Sequence, residues 1–231
     1  MQRSLLISIL AAGELAVSAS AETRTYELPP FNEIDVSSGL TVIFEAGPEQ
    51  SIVAETEQGD FDKLIIEVED DTLYIRRPRN GWNWGGNRKN RFTVNVTGPA
   101  VSGLDASSGS TATANGFVGD YVEIDASSGA TIRASGIAGE IVELDTSSGA
   151  SISAEGQCSR TSIDASSGAS ISAGTLECQE VNADASSGAT INAYATDRVR
   201  GKASSGASIK VRGGASNVDI DKSSGGSFSV S

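Results

Sequence analysis

The chain has 231 residues, a formal net charge of −13 and no histidine. The acidity argues against nucleic acid and anionic membrane surfaces as partners. The missing histidine removes His-based triads and the usual zinc sites, and no Gly-rich phosphate loop is present, so neither an enzyme nor a cofactor is expected.

Residues 1–21 have the pattern of a secretory signal peptide. Arg3 supplies the positive start, Leu5 to Ala12 the apolar run, and Ala19-Ser20-Ala21 the small-x-small cleavage site. The apolar run is too short for a membrane span, and no later segment approaches one. The only cysteines are Cys158 and Cys178, so a lipid anchor on a processed N-terminal cysteine is not expected. The chain is read as exported, to periplasm, cell surface or medium.

Residues 22–231 are read as one domain, with irregular N-terminal coils over 22–100 and regular repeats over 101–231. Phe31 to Gly39 looks like a first, degenerate repeat, ending in Ser37-Ser38-Gly39. Leu40 to Glu45, Ser51 to Thr56 and Phe92 to Val96 alternate as strands do. Lys63 to Val68 and Leu73 to Arg77 flank Asp70-Asp71, a hairpin signal. This region is expected to form larger coils that cap the N-terminal end of a stack.

Residues 76–91 hold both tryptophans and a dense group of cations. Trp82 and Trp84, with Arg79, Arg88, Lys89 and Arg91, form the candidate ligand site, suited to a glycan or an anionic polymer. The competing reading is a long turn whose rings fold back on the coil end.

From Leu104 onward the tripeptide Ser-Ser-Gly recurs, beginning at Ser107, Ser127, Ser147, Ser166, Ser186, Ser204 and Ser223, at spacings of 20, 20, 19, 20, 18 and 19 residues. A fixed period near 20 marks a solenoid, and period-2 alternation within each unit marks strands. The expected fold is all-β, a right-handed parallel β-helix with coils of ~20 residues. Leu104, Ile124, Leu144, Ile163 and Ala183 should form one inward column, and Ile132, Ile152, Ile171, Ile191 and Ile209 another.

Three outward or lateral columns follow from the same spacing. Asp105, Asp125, Asp145, Asp164 and Asp184 precede successive corners, Lys202 interrupts them, and Asp221 resumes. Calcium bridging is one reading of this file. The favoured one is turn chemistry, with each Asp accepting N–H groups of its corner. Thr111, Thr131, Ser151, Ser170, Thr190, Ser208 and Ser227 form a hydroxyl file, read as a polar outer face in preference to one that binds ice or glycan. Cys158 and Cys178 each stand eight residues before a corner, hence in one register of adjacent coils. The expected Cα separation, about 5 Å, suits a disulfide, which export would permit.

The order of these motifs carries a resemblance: a Phe31-x-x-Ile34-x-Val36-x-x-Gly39 start, a Leu73-x-Ile75 strand after the acidic turn, then the ladder of Ser-Gly units. It resembles the putative autotransporter adhesin head GIN domain family over about Tyr26 to Ser231. The resemblance implies an exported bacterial β-helix protein of unknown function. Together these readings describe a non-enzymatic structural or adhesive protein. The alternative is a module binding glycan or cell-wall polymer through residues 76–91. The solenoid ends leave self-association as a further mode of assembly.

Overall fold

The computed structural model describes residues 21–57, 60–78 and 91–231. In chain order the strands are β1 (Glu22–Tyr26), β2 (Glu33–Val36), β3 (Thr41–Ala46), β4 (Ser51–Thr56), β5 (Ile65–Glu69), β6 (Thr72–Arg76), β7 (Thr93–Gly98) and β8 (Gly103–Ala106). Then come β9 (Thr111–Ala126), β10 (Thr131–Thr146), β11 (Ser151–Ala165), β12 (Ser170–Ala185), β13 (Thr190–Ala203), β14 (Ser208–Arg212), β15 (Asn217–Lys222) and β16 (Ser227–Val230). From β9 to β13 each strand runs almost from one Ser-Ser-Gly to the next, bending round a common interior. Neighbouring coils pair in parallel. The all-β solenoid expected from the period is the fold observed.

The corner explains the tripeptide. Its second serine and its glycine both lie in the left-handed region, as at Ser128 (φ 51°) and Gly129 (φ 73°). Ala130 N–H closes the turn onto Ser127 O at 3.0 Å. Positive φ at both central positions is the type I′ signature, which few residues besides Gly and Asn tolerate cheaply. Gly129 N–H donates to Ser148 O at 3.2 Å, so each corner is also stitched to the next coil.

Inside, both expected columns are present. Leu104, Ile124, Leu144, Ile163 and Ala183 pair in register, as do Ile132, Ile152, Ile171, Ile191 and Ile209, and all are buried. Burying each Ile or Leu is worth about 1.5–3 kcal/mol. The second column extends to Val42 and Ala112 at one end and to Phe228 at the other. In the first, the file narrows to Gly201, whose added Cβ would lie 1.9 Å from Ala183 O. The uneven repeat lengths are absorbed outside these columns. The 19- and 18-residue coils show their register shifts in the segment between the two faces, for example between Ala134 and Ile137.

The N-terminal region departs from the expectation of plain larger coils. β2 and β3 do form a first coil, with Ser38 (φ 66°) and Gly39 (φ 69°) at its corner. β2 pairs in parallel with β8 and β6, and β3 with β9 and β7. Beyond that, both flanks turn antiparallel: β5 returns along β6, and β4 along β7, with β1 outermost along β4. Asp70 (φ 47°) and Asp71 (φ 62°) make the β5–β6 turn, so the hairpin signal was real. The antiparallel strands arise because short turns, Gly47 to Gln50 and Asp70-Asp71, reverse the chain where a parallel coil would need a longer crossover.

Candidate functional site

Each strand that enters a corner carries Asp outward, a small residue inward, then the first corner serine outward. Stacking repeats that triplet at the interstrand step of ~4.8 Å. Asp105, Asp125, Asp145, Asp164 and Asp184 stand in register, and Asp35 of β2 heads the file. Lys202 takes the place after Asp184, and Asp221 follows it at 3.9 Å from the Lys202 ammonium. Sequence reading began this file at Asp105. Asp35 was visible as the residue two before Ser37, but a single degenerate repeat did not fix its register.

The file lines a groove of about 720 Å3 along the solenoid. The Asp carboxylates run along it beside the hydroxyls of Ser127, Ser147, Ser166, Ser186 and Ser204, and Lys202 stands at its C-terminal end. None of these serine hydroxyls has a hydrogen-bond partner among the described residues. The turn-chemistry reading of the Asp file is corrected: among the described residues no corner N–H donates to an Asp carboxylate. The ladder has already taken those donors, as in Ser127 N–H to Ala106 O at 3.0 Å and Ser147 N–H to Ala126 O at 3.1 Å. The carboxylates are therefore left facing the groove.

Their protonation reflects that position. Half-burial, reinforced by Asp145, Glu123 and Asp105, pushes Asp125 up to about 7. Burial, then Asp35 and Glu123, pushes Asp105 up to about 6. Burial, then Asp164 and Glu143, brings Asp145 to about 6, and burial with Asp184 raises Asp164. Burial also raises Asp35, against a lowering by Arg76. At this spacing adjacent carboxylates repel by roughly 1 kcal/mol even in water, so each ionised Asp makes ionisation of its neighbours harder. Among the described residues no group of three or more Cys, Asp or Glu side chains is placed to hold a metal ion.

Across the corner lies the hydroxyl face. The expected file from Thr111 to Ser227 is in register, and β3 and β7 extend it with Thr41 and Thr93. Its second outward file is mixed, running Ile43, Thr113, Arg133, Ser153, Ser172, Asn192 and Lys210.

Of the aromatic loop, Arg79, Trp82, Trp84, Arg88 and Lys89 lie outside the described residues. Arg91 is exposed, and its carbonyl accepts from Thr56 Oγ1 at 2.7 Å. The flanks of the loop rest on the first coil: Arg77 Nε donates to Ser38 O at 3.0 Å, and Arg77 stands over the Phe92 ring at 5.7 Å. Cys158 and Cys178 are paired in register in the segment between the two faces. Their Cα atoms are 4.6 Å apart and their sulfurs are joined.

The fold is a parallel β-solenoid with a polar groove along one face, and among the described residues no helix is long and apolar enough to cross a membrane. The chain belongs to the family described as "Putative auto-transporter adhesin, head GIN domain", whose model matches residues 30–215. It is similar in fold to a putative adhesin from Bacteroides fragilis, with a TM-score of 0.83, 16% identity, and coverage of 93% of this chain and 98% of that one. It is also similar to a protein from Parabacteroides distasonis described as a putative lipid binding protein, with a TM-score of 0.72, 16% identity, and coverage of 91% and 96%. A putative adhesin from Parabacteroides merdae gives a TM-score of 0.64, 16% identity, and coverage of 91% and 95%. No curated protein sequence matches the chain.

Proposed function

We propose that this protein is an exported, non-enzymatic adhesin-type solenoid that binds an extended, hydroxyl-rich ligand, a glycan or cell-envelope polysaccharide, along the Asp/Ser groove. The observation that carries this reading is the groove itself. It repeats a carboxylate and an unpartnered hydroxyl once per coil over four successive coils, from Asp125/Ser127 to Asp184/Ser186. Sugar hydroxyls both donate and accept, and so can satisfy both groups at each step. A carboxylate titrating near neutrality serves as acceptor when ionised and as donor when protonated. Export is supported by the pattern of residues 1–21 and by family membership. The absence of histidine favours binding over catalysis. The Cys158–Cys178 bridge belongs to the same reading, since an oxidising compartment sustains it.

A glycan array probed with wild type, Asp145→Asn/Ser147→Ala and Trp82→Ala tests the site. Loss of a discrete glycan signal in the groove variant, with signal kept in Trp82→Ala, is expected. Loss only in Trp82→Ala would move the site to residues 76–91, and no discrete signal for wild type would end the ligand reading.

A further inference from the structure

Beside the Asp/Ser groove, on the same outward face, lies a second concavity of about 410 Å3. Counting back four residues from successive corners gives the file that crosses it: Glu123, Glu143, Ser162, Asn182, Arg200 and Asp219, in register. Its ends are acidic. Its middle three members, which line the concavity, are a hydroxyl, an amide and a guanidinium. Two residues further back, Arg160, Glu180 and Arg198 stand in register and line the same space.

Three guanidinium groups thus surround a single carboxylate, in a chain of net charge −13. Two of them have partners. Arg198 lies 3.5 Å from Glu180, and Arg160 lies 3.6 Å from Glu140 outside the concavity. Both pairs are well exposed, and exposed pairs hold little energy, so a ligand can compete for them. Arg200 has no ion pair or hydrogen bond among the described residues. Its planar fork is the group best suited to bidentate capture of a carboxylate, sulfate or phosphate. Asn182 and Ser162 add neutral donors at successive steps of ~4.8 Å.

We propose that this concavity is the subsite for an anionic substituent on the glycan whose neutral hydroxyls occupy the Asp/Ser groove, so the inference rests on the groove reading above. Ser162 and Asp164 are two residues apart on β11, as are Asn182 and Asp184 on β12. The files are therefore separated by about 6.6 Å, and one sugar can reach both. The Asp file repels the ligand's anion and the Arg groups attract it, which fixes which edge of the glycan faces which file. The ligand class is an acidic polysaccharide carrying uronate, sulfate ester or phosphate ester.

Calorimetric titration at low, fixed ionic strength tests this. The probes are a glucuronate-containing tetrasaccharide, its uncharged methyl ester, and sulfated and phosphorylated forms of that ester. At least one charged form should bind about tenfold more tightly than the neutral ester, the scale of one charge-assisted hydrogen bond, and the form that does so names the acid. Arg200→Gln, with its melting temperature checked against wild type, should erase that preference and leave the neutral ester's affinity unchanged. Equal affinity for charged and neutral forms, or a preference that survives in Arg200→Gln/Arg198→Gln, overturns the subsite while leaving the groove reading intact. Binding of charged forms alone, with the ester silent, keeps the subsite and ends the groove reading; silence from every probe ends both. Concentration-dependent sedimentation of wild type that Arg200→Gln abolishes would assign the concavity to the acidic face of a second copy and overturn the glycan assignment.

Discussion

The two faces that meet at the Ser-Ser-Gly corner differ outside far more than inside. Behind each runs an aliphatic file, Leu104 to Ala183 under the Asp face and Ile132 to Ile209 under the hydroxyl face, and both are buried. In front, one face carries a row of carboxylates lining a groove, half-buried at Asp125, Asp145 and Asp184 and exposed at Asp105 and Asp164; the other carries a row of uncharged hydroxyls. The inward files and the corner turns fix the coil, and they do so equally on both sides. The outward residues are therefore free to differ. The side that keeps a row of mutually repelling acids bears a cost that the fold does not require.

The largest break expected is inside, and it should be the same on both sides. Leu144→Asp and Ile152→Asp each place an unpaired charge in an apolar ladder at a fully buried position. Each should cost about 4 kcal/mol or more in denaturant unfolding. A melting temperature left unchanged by either substitution would mean that its face assignment is reversed.

The segment between the faces comes next. Cys158 and Cys178 are 20 residues apart in sequence, so the loop they close is one coil. Cys158→Ser should lower stability by about 3 kcal/mol in the chain-entropy account. Thiol titration of denatured, unreduced protein recovered from the exported fraction should find no free thiol; two free thiols would refute the bridge.

A smaller contrast separates the outward files. Asp125 has its folded pKa raised from 3.8 to about 7, so the folded chain binds more protons than the unfolded one between those values. Its contribution favours folding below about pH 4 and is lost as pH rises through about 7. Asp125→Asn should therefore stabilise at pH 8, by about 1 kcal/mol once solvent screening is allowed for, and flatten the pH dependence. Thr131→Ala on the other face should change stability by less than about 0.5 kcal/mol, equally at pH 5 and pH 8. Identical pH profiles for the two variants would erase the distinction between the faces.

Much of this was legible in the sequence, and the reason is the corner. Once Ser-Ser-Gly anchors the count, period-2 alternation assigns Leu144 and Ile152 inward, Asp145 outward and Cys158 opposite Cys178. What was not legible depends on geometry that spacing does not encode. The antiparallel strands β1, β4 and β5 hide in a region without repeats, where short turns and longer crossovers leave similar alternation. The role of the Asp file was misread because turn residues commonly cap their own corner, whereas here the ladder between coils has taken those N–H groups. Arg200 was countable, four residues before Ser204 as Asn182 is before Ser186. Its file changes chemistry at nearly every step, so no pattern drew attention to it.

The most direct test of the central claim, that one face holds a file of closely stacked carboxylates lining a groove, is a carbon-detected NMR titration of the Asp side chains. Asp105, Asp125 and Asp145 should titrate at about 6, about 7 and about 6, with each curve broadened by coupling along the file. Independent titration of all three near 4, the ordinary value for a solvated Asp, would contradict it.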